Sequence, residues 1–182
     1  MSMYPIASYT ASSTQSSSFA FLNIPQTFTH LQLRIWGRGG ATGTYGLPYL
    51  FVNADSGTGN YRWHSFNGNG TTTASTNGTD NAFDLPLVSG PGSLANVYGS
   101  VIVDILDYTN TNKNKVIKAI GGFDDNNAST TNSQVALVSG LYLTNTNPIT
   151  RLDFNIYDSG SSIISGTRID LYGITTSNVG TF

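Results

Sequence analysis

The sequence contains no cysteine and no glutamate, and lysine occurs only at Lys113, Lys115 and Lys118. The absence of cysteine excludes disulfides, thiol nucleophiles and thiolate metal sites. Glu, Lys and Ala are the residues that fill exposed helix positions, so a chain this short of them has little from which to build a surface helix. Charge is scarce in both signs: charged residues make up 10% of the 182 positions, less than half the usual share of about 25%. A surface so poor in charge is made of hydroxyls, amides and backbone. The net charge of −2 supplies no long-range field toward nucleic acid or an anionic membrane, and neither is expected as a partner. Long apolar runs are missing too. No stretch approaches the roughly 20 apolar residues of a membrane span. The opening MSMYPIASYTASSTQSSS has neither the basic start nor the apolar run of a secretory signal.

What is present favours strands. The 20 Gly, 10 Tyr and 9 Phe, with many Thr, Val and Ile, suit β-strands and tight turns, and a hydrophobic share of 38% is ample for one core. The chain is expected to be all-β. Candidate strands fall at about 4–9, 19–24, 30–36, 49–53, 61–66, 83–87, 97–107, 115–120, 134–143, 151–157 and 167–174, with ends uncertain by roughly two to four residues. Turn-formers such as Asp55-Ser56-Gly57, Asn77-Gly78 and Ser159-Gly160 separate them. Short strands at this spacing make an antiparallel β-sandwich or barrel. Residues 1–18, ending in a Ser/Thr/Gln tract, are expected as an N-terminal arm, and 19–182 as the sandwich domain. The polar stretch 67–81, NGNGTTTASTNGTDN, reads as an exposed loop.

Local signals for chemistry are missing. Gly37-Arg38-Gly39-Gly40 follows a strand, but a dinucleotide fingerprint would need glycine where Thr42 stands, and no lysine follows to make a Walker loop. His30 and His64 have no partner at a zinc-ligand spacing, and no GxSxG elbow occurs. Asp104 and Asp107, three apart on a strand, face opposite ways and make a poor carboxylate pair. Asp124-Asp125-Asn126-Asn127 lacks the glycine and distal glutamate of a calcium loop and reads as a polar turn. The three lysines beside Asp104 and Asp107 read as a solvated or salt-bridged edge. Sequons at Asn69, Asn77 and Asn127 are expected by chance in a chain of this composition. No enzyme activity, catalytic residue, cofactor or metal is expected.

The stretch THLQLRIWGRGG at 29–40 is more telling. Leu31, Leu33 and Ile35 alternate as the buried face of a strand, which turns Arg34 and Trp36 to the other side. Trp and Arg are enriched where one protein packs on another. Two covers are open for that face: a companion chain, or a second layer of the same chain. The strand at 97–107, apolar on both sides over part of its length, asks for the same cover.

Three stretches, IPQTFTHLQLRIWGRG (24–39), VIVDILDYTNTNKNKVIKAIGGFDD (101–125) and VSGLYLTNTNPITRLDFNIYDSGSSIISGTRIDLYGI (138–174), resemble a family of virion structural proteins of tailed bacteriophages. Its members tend to end in a similar "sLYGi" strand. The resemblance implies a β-sandwich of jelly-roll type and a place in the virion, most naturally as a capsid decoration or cement protein bound to the major capsid protein or neighbouring virion proteins. It implies a homo-oligomer as well, with a trimer favoured. Arg34 and Trp36 are then expected at the interface between subunits, with Tyr4 and Ile6 anchoring the arm. The alternative is a tail-fibre or receptor-binding module in which Tyr61, Trp63, His64 and Asn67 stack on and hydrogen-bond to host glycans.

Overall fold

The computed structural model describes residues 1–15, 18–40, 42–125, 133–157 and 162–176. The Ser159-Gly160 turn, the Asn127 sequon and half of the 124–127 turn lie outside them. Thirteen strands run along the described chain: β1 (Ser2–Thr10), β2 (Phe19–Phe21), β3 (His30–Gly37), β4 (Tyr45–Val52), β5 (Tyr61–Gly68), β6 (Thr73–Asp80), β7 (Phe83–Asp84), β8 (Val88–Ser89), β9 (Gly99–Leu106), β10 (Lys115–Phe123), β11 (Gln134–Tyr142), β12 (Leu152–Tyr157) and β13 (Arg168–Thr175). No helix occurs among the described residues. The larger sheet has the order β1-β13-β3-β9-β10-β11-β5-β6, the smaller β2-β12-β4-β7, with β8 also paired to β4. Every strand pairing is antiparallel. The two sheets pack as a β-sandwich.

Period-2 alternation builds the core between them. Leu31, Leu33 and Ile35 of β3, Val101, Val103 and Ile105 of β9, and Ile117 and Ala119 of β10 point inward from the larger sheet. Leu50 and Val52 of β4 and Leu152, Phe154 and Ile156 of β12 meet them from the smaller. Each fully buried residue of this size contributes roughly 1.5–3 kcal/mol of transfer free energy.

Buried polar groups are tied to backbone. Tyr61 donates its hydroxyl proton to the Asp55 carbonyl at 2.7 Å and accepts the Val52 N–H at 3.0 Å, while the Tyr142 hydroxyl donates to Asp55 Oδ2 at 2.7 Å. Burial alone would raise the Asp55 carboxyl, but its bonds from Tyr142, Gly57 and Asn60 outweigh that and hold it below the ordinary range. The buried Arg38 guanidinium donates to the carbonyls of Ser93, Leu94 and Val97, which fastens the 93–97 loop to the end of β3.

The sequence expectations differ from the fold at three places. The strand expected at about 4–9 is present as β1, but it pairs along β13 as an edge strand of the larger sheet, with a bulge between Pro5 and Ala7, so residues 2–10 of the expected arm belong to the sandwich. The stretch expected as an exposed loop at 67–81 contains β6, paired to β5 over its whole length. Its side chains are mostly exposed, so no apolar alternation marks it, and backbone pairing alone makes the strand. The lysine segment carries the expected salt bridge, Lys113 to Asp107 at 3.0 Å, but it is not a sheet edge, because β10 lies between β9 and β11 in the middle of the larger sheet. Lys115 is fully buried and its ammonium donates to the carbonyls of Asn110, Lys113 and Thr146.

Candidate functional site

The outer face of the larger sheet carries the side chains that the core alternation leaves over. Arg34, Ile102, Ile120, Leu137 and Phe66 fall on one register line across β3, β9, β10, β11 and β5. On the neighbouring line stand Trp36, Ser100, Gly122 and Val135. Trp36 is 55% exposed, Ile120 54%, Leu137 53% and Phe66 56%, so no second layer of the described residues covers them. Four adjacent strands therefore present a contiguous apolar row to the outside. Contiguous exposed apolar patches of this kind mark interaction sites.

Polar residues frame the row. Gln32, Asp104, Lys118, Ser139 and His64 form the next line on the other side. Gln32 donates its amide to Asp104 Oδ1 at 2.8 Å, and Lys118 stands directly opposite Asp104. At the β13 end Arg34 faces Asp170, and the Arg34 guanidinium lies 5.2 Å from the centre of the Tyr172 ring. Burial alone would raise the Asp170 carboxyl, but hydrogen bonds from Ser8 and Arg168 hold it below the usual carboxylate range. The rim thus carries charges of both signs, with Arg168 and Asp170 ion-paired at 2.9 Å. A groove of about 540 Å³ opens beside the row, lined by Arg34, Trp36, Ser100, Ile102, Arg168 and Asp170.

Arg34 and Trp36 belong to this face, and Trp36 stacks on Tyr98 with ring centres 6.4 Å apart. Tyr4 and Ile6 do not join them. Tyr4 pairs with Gly173, which in turn pairs with Leu31, so Tyr4 stands on the core side of the sheet edge, 6.0 Å from the Phe28 ring. Ile6 lies at the β1 bulge, half-buried against the core.

The candidate glycan residues Tyr61, Trp63, His64 and Asn67 do not share a surface. Tyr61 is fully buried and Trp63 packs partly on the core, while His64 points out from the opposite face of β5. Asn67 donates to the Gln134 side chain at 3.0 Å. Contiguity in sequence put them together; alternation along one strand takes them apart.

The strand that carries Ile102 reads from the sequence as apolar on both sides, but Ile120, Leu137, Phe66 and Val135 were not singled out, although KVIKAI and QVALV are likewise apolar at successive positions and so on both faces. That doubled pattern is the signal for a sheet covered on both sides.

Among the described residues no three His, Asp or other ligating side chains gather as a metal site. Arg38, the cation of the glycine turn, is committed to three carbonyls. Asp125 is buried, with its N–H and Oδ1 both bonded to the Ser133 hydroxyl. Compared with protein-family models, with curated proteins and with solved structures, the chain finds no match.

Proposed function

We propose that the protein is a virion structural subunit, a capsid decoration or cement protein, whose copies associate through the outer face of the larger sheet. The observation that carries this is the exposed row Ile102, Ile120, Leu137 and Phe66 with Trp36 beside it. Eight strands at about 4.8 Å spacing and about eight residues' length give that face roughly 1,000 Å². Each partner in a standard protein interface contributes about 800 Å². The face is large enough for a second copy of the chain, and its rim of mixed charge presents no single-sign barrier to one.

The strand order supports a jelly roll. With the inserted strands β5, β6, β7, β10 and β11 set aside, eight strands remain, and counted along the chain they run first-eighth-third-sixth in one sheet and second-seventh-fourth-fifth in the other. That is the order of two interlocked Greek keys, an architecture used in viral shells and lectins. The β10–β11 and β5–β6 hairpins widen the first sheet and bring the apolar row with them.

The mechanism is stabilisation by binding. An oligomer that attaches to the assembled shell and not to free subunits raises the free energy needed to open the shell by its binding free energy. A closed ring of copies, with a trimer as the expected number, repeats one modest interface and multiplies its effect. The test is to label the protein on intact particles and count it. Many copies spread over the head support decoration; a few copies at one vertex, or none, overturn it.

A further inference from the structure

We infer that the outward face of the smaller sheet is a saccharide-binding platform built on Tyr45, Tyr49 and Tyr157. The inference is independent of the association proposed for the larger sheet.

It begins in the sequence YGLPYLFV of β4. Gly46, Pro48, Leu50 and Val52 are buried, so Tyr45, Leu47, Tyr49 and Phe51 face outward: three aromatic rings in four outward positions. β12 adds Tyr157, which pairs with Leu47 and stacks on Tyr49 with centres 5.9 Å apart and planes at 21°. Phe51 meets Tyr49 edge to face at 6.3 Å. Tyr45 and Tyr157 are exposed, and a groove of about 470 Å³ runs over the rings, lined also by Thr42, Thr44 and Leu47. That volume lies within the range of roughly 300–1,000 Å³ that takes small ligands.

Thr42 and Thr44 bring hydroxyls into the groove beside those of the tyrosines, and further polar groups flank its central ring. Asn155, Tyr49 and Asp84 occupy one register line across β12, β4 and β7. Asn155 Oδ1 accepts the Ile156 N–H at 2.9 Å, which leaves its NH₂ to donate elsewhere. Asp84 Oδ1 is buried without a hydrogen-bond partner among the described residues and lines a neighbouring cavity with Leu47 and Trp63, not this groove. Burial, then the charges of Asp84 and Asp80 and the neighbouring Tyr157, push the Tyr49 hydroxyl to about 12, so it remains a donor at ordinary pH.

A pyranose has an apolar C–H face and a rim of hydroxyls. Flat tyrosine rings cover the first, and the hydroxyls of Thr42, Thr44 and the tyrosines that line the groove meet the second. The two outer faces of the sandwich thus differ in chemistry. The larger sheet offers mainly aliphatic side chains suited to another protein surface, the smaller offers tyrosines flanked by hydrogen-bonding groups. Aromatic grooves also receive proline-rich peptides, and the tyrosine and threonine hydroxyls that line this one suit the many hydroxyls of a sugar better than a peptide whose prolines carry no N–H.

The test is calorimetric titration of the full chain with neutral trisaccharides of glucose, galactose and N-acetylglucosamine, and with a proline-rich peptide. At least one trisaccharide is expected to bind in the millimolar range or tighter. Tyr157→Ala and Tyr49→Ala should each weaken it by about tenfold, while Ile120→Asp, on the other face, leaves it unchanged. Tyr157 is half exposed, so its variant is expected to keep the wild-type melting temperature and report on binding alone. No binding by any trisaccharide at about 10 mM, binding unaltered in both tyrosine variants, or binding of the peptide in place of the sugars would overturn the inference.

Discussion

Ile120 of β10 stands directly opposite Leu137 of β11, and more than half of each side chain is exposed in the middle of an eight-stranded sheet. Neither touches the core, so neither serves the fold of the single chain. Replacing both by serine should therefore leave the unfolding free energy of the isolated subunit within about 0.5 kcal/mol of wild type. Urea denaturation at low protein concentration measures it; a loss of several kcal/mol would place these residues in the subunit's own core.

Lys115 makes the opposite case. Its ammonium is buried and satisfies three carbonyls that have turned away from water. Lys115→Met keeps most of the stem but leaves those carbonyls unpaired, and should cost about 2–4 kcal/mol of stability. Chemical denaturation checks this, with Lys118→Met, on the outer face, expected to cost under about 0.5 kcal/mol.

Gly140 admits the Phe83 ring of β7 onto β11. A Cβ there would lie 2.5 Å from Phe83 Cδ1 and 2.9 Å from Ile117 Cγ1, both in the buried core. Gly140→Ala should destabilise the protein by about 1–3 kcal/mol through overpacking, seen as a lowered melting temperature. If the variant melts with wild type, the Phe83 ring does not hold that place.

Asp84 gives a pH dependence with a definite sign. Burial, then the Asp80 charge, raises its carboxyl to about 7 in the folded chain, against about 3.9 when unfolded. Between those values the folded state holds a proton that the unfolded state has lost. The stability this group contributes is full below about pH 4 and is lost as pH rises through about 7. Asp84→Asn cannot ionise, so the variant should gain on wild type between pH 5 and pH 8 in paired denaturation curves. An unchanged difference at the two pH values would mean that Asp84 ionises as an ordinary carboxylate.

Strand positions were legible wherever one face of a strand was buried and the other wet. Leu31, Leu33 and Ile35 marked β3, and Leu152, Phe154 and Ile156 marked β12, because alternation reports burial on one side. β6 was not legible, since neither of its faces is buried and it is held by pairing to β5 alone. Of the candidate interface, Arg34 and Trp36 were readable as outward residues of a strand. Their joining to Ile102, Ile120, Leu137 and Phe66 depends on which strands are neighbours and in what register, and alternation within a strand carries no such information. The grouping of Tyr61 with His64 failed for a related reason, as residues an odd number apart on a strand face opposite ways.

The central claim is that the outer face of the larger sheet holds subunits together, and the native mass of the purified protein tests it most directly. By light scattering the wild-type chain should run as a homo-oligomer, at three times the 19.4 kDa of the single chain if the expected trimer forms. The Ile120→Asp, Leu137→Asp double variant should run as a folded monomer. A wild-type protein that stays at 19.4 kDa up to about 0.1 mM, or a double variant that retains the assembled mass, would contradict it.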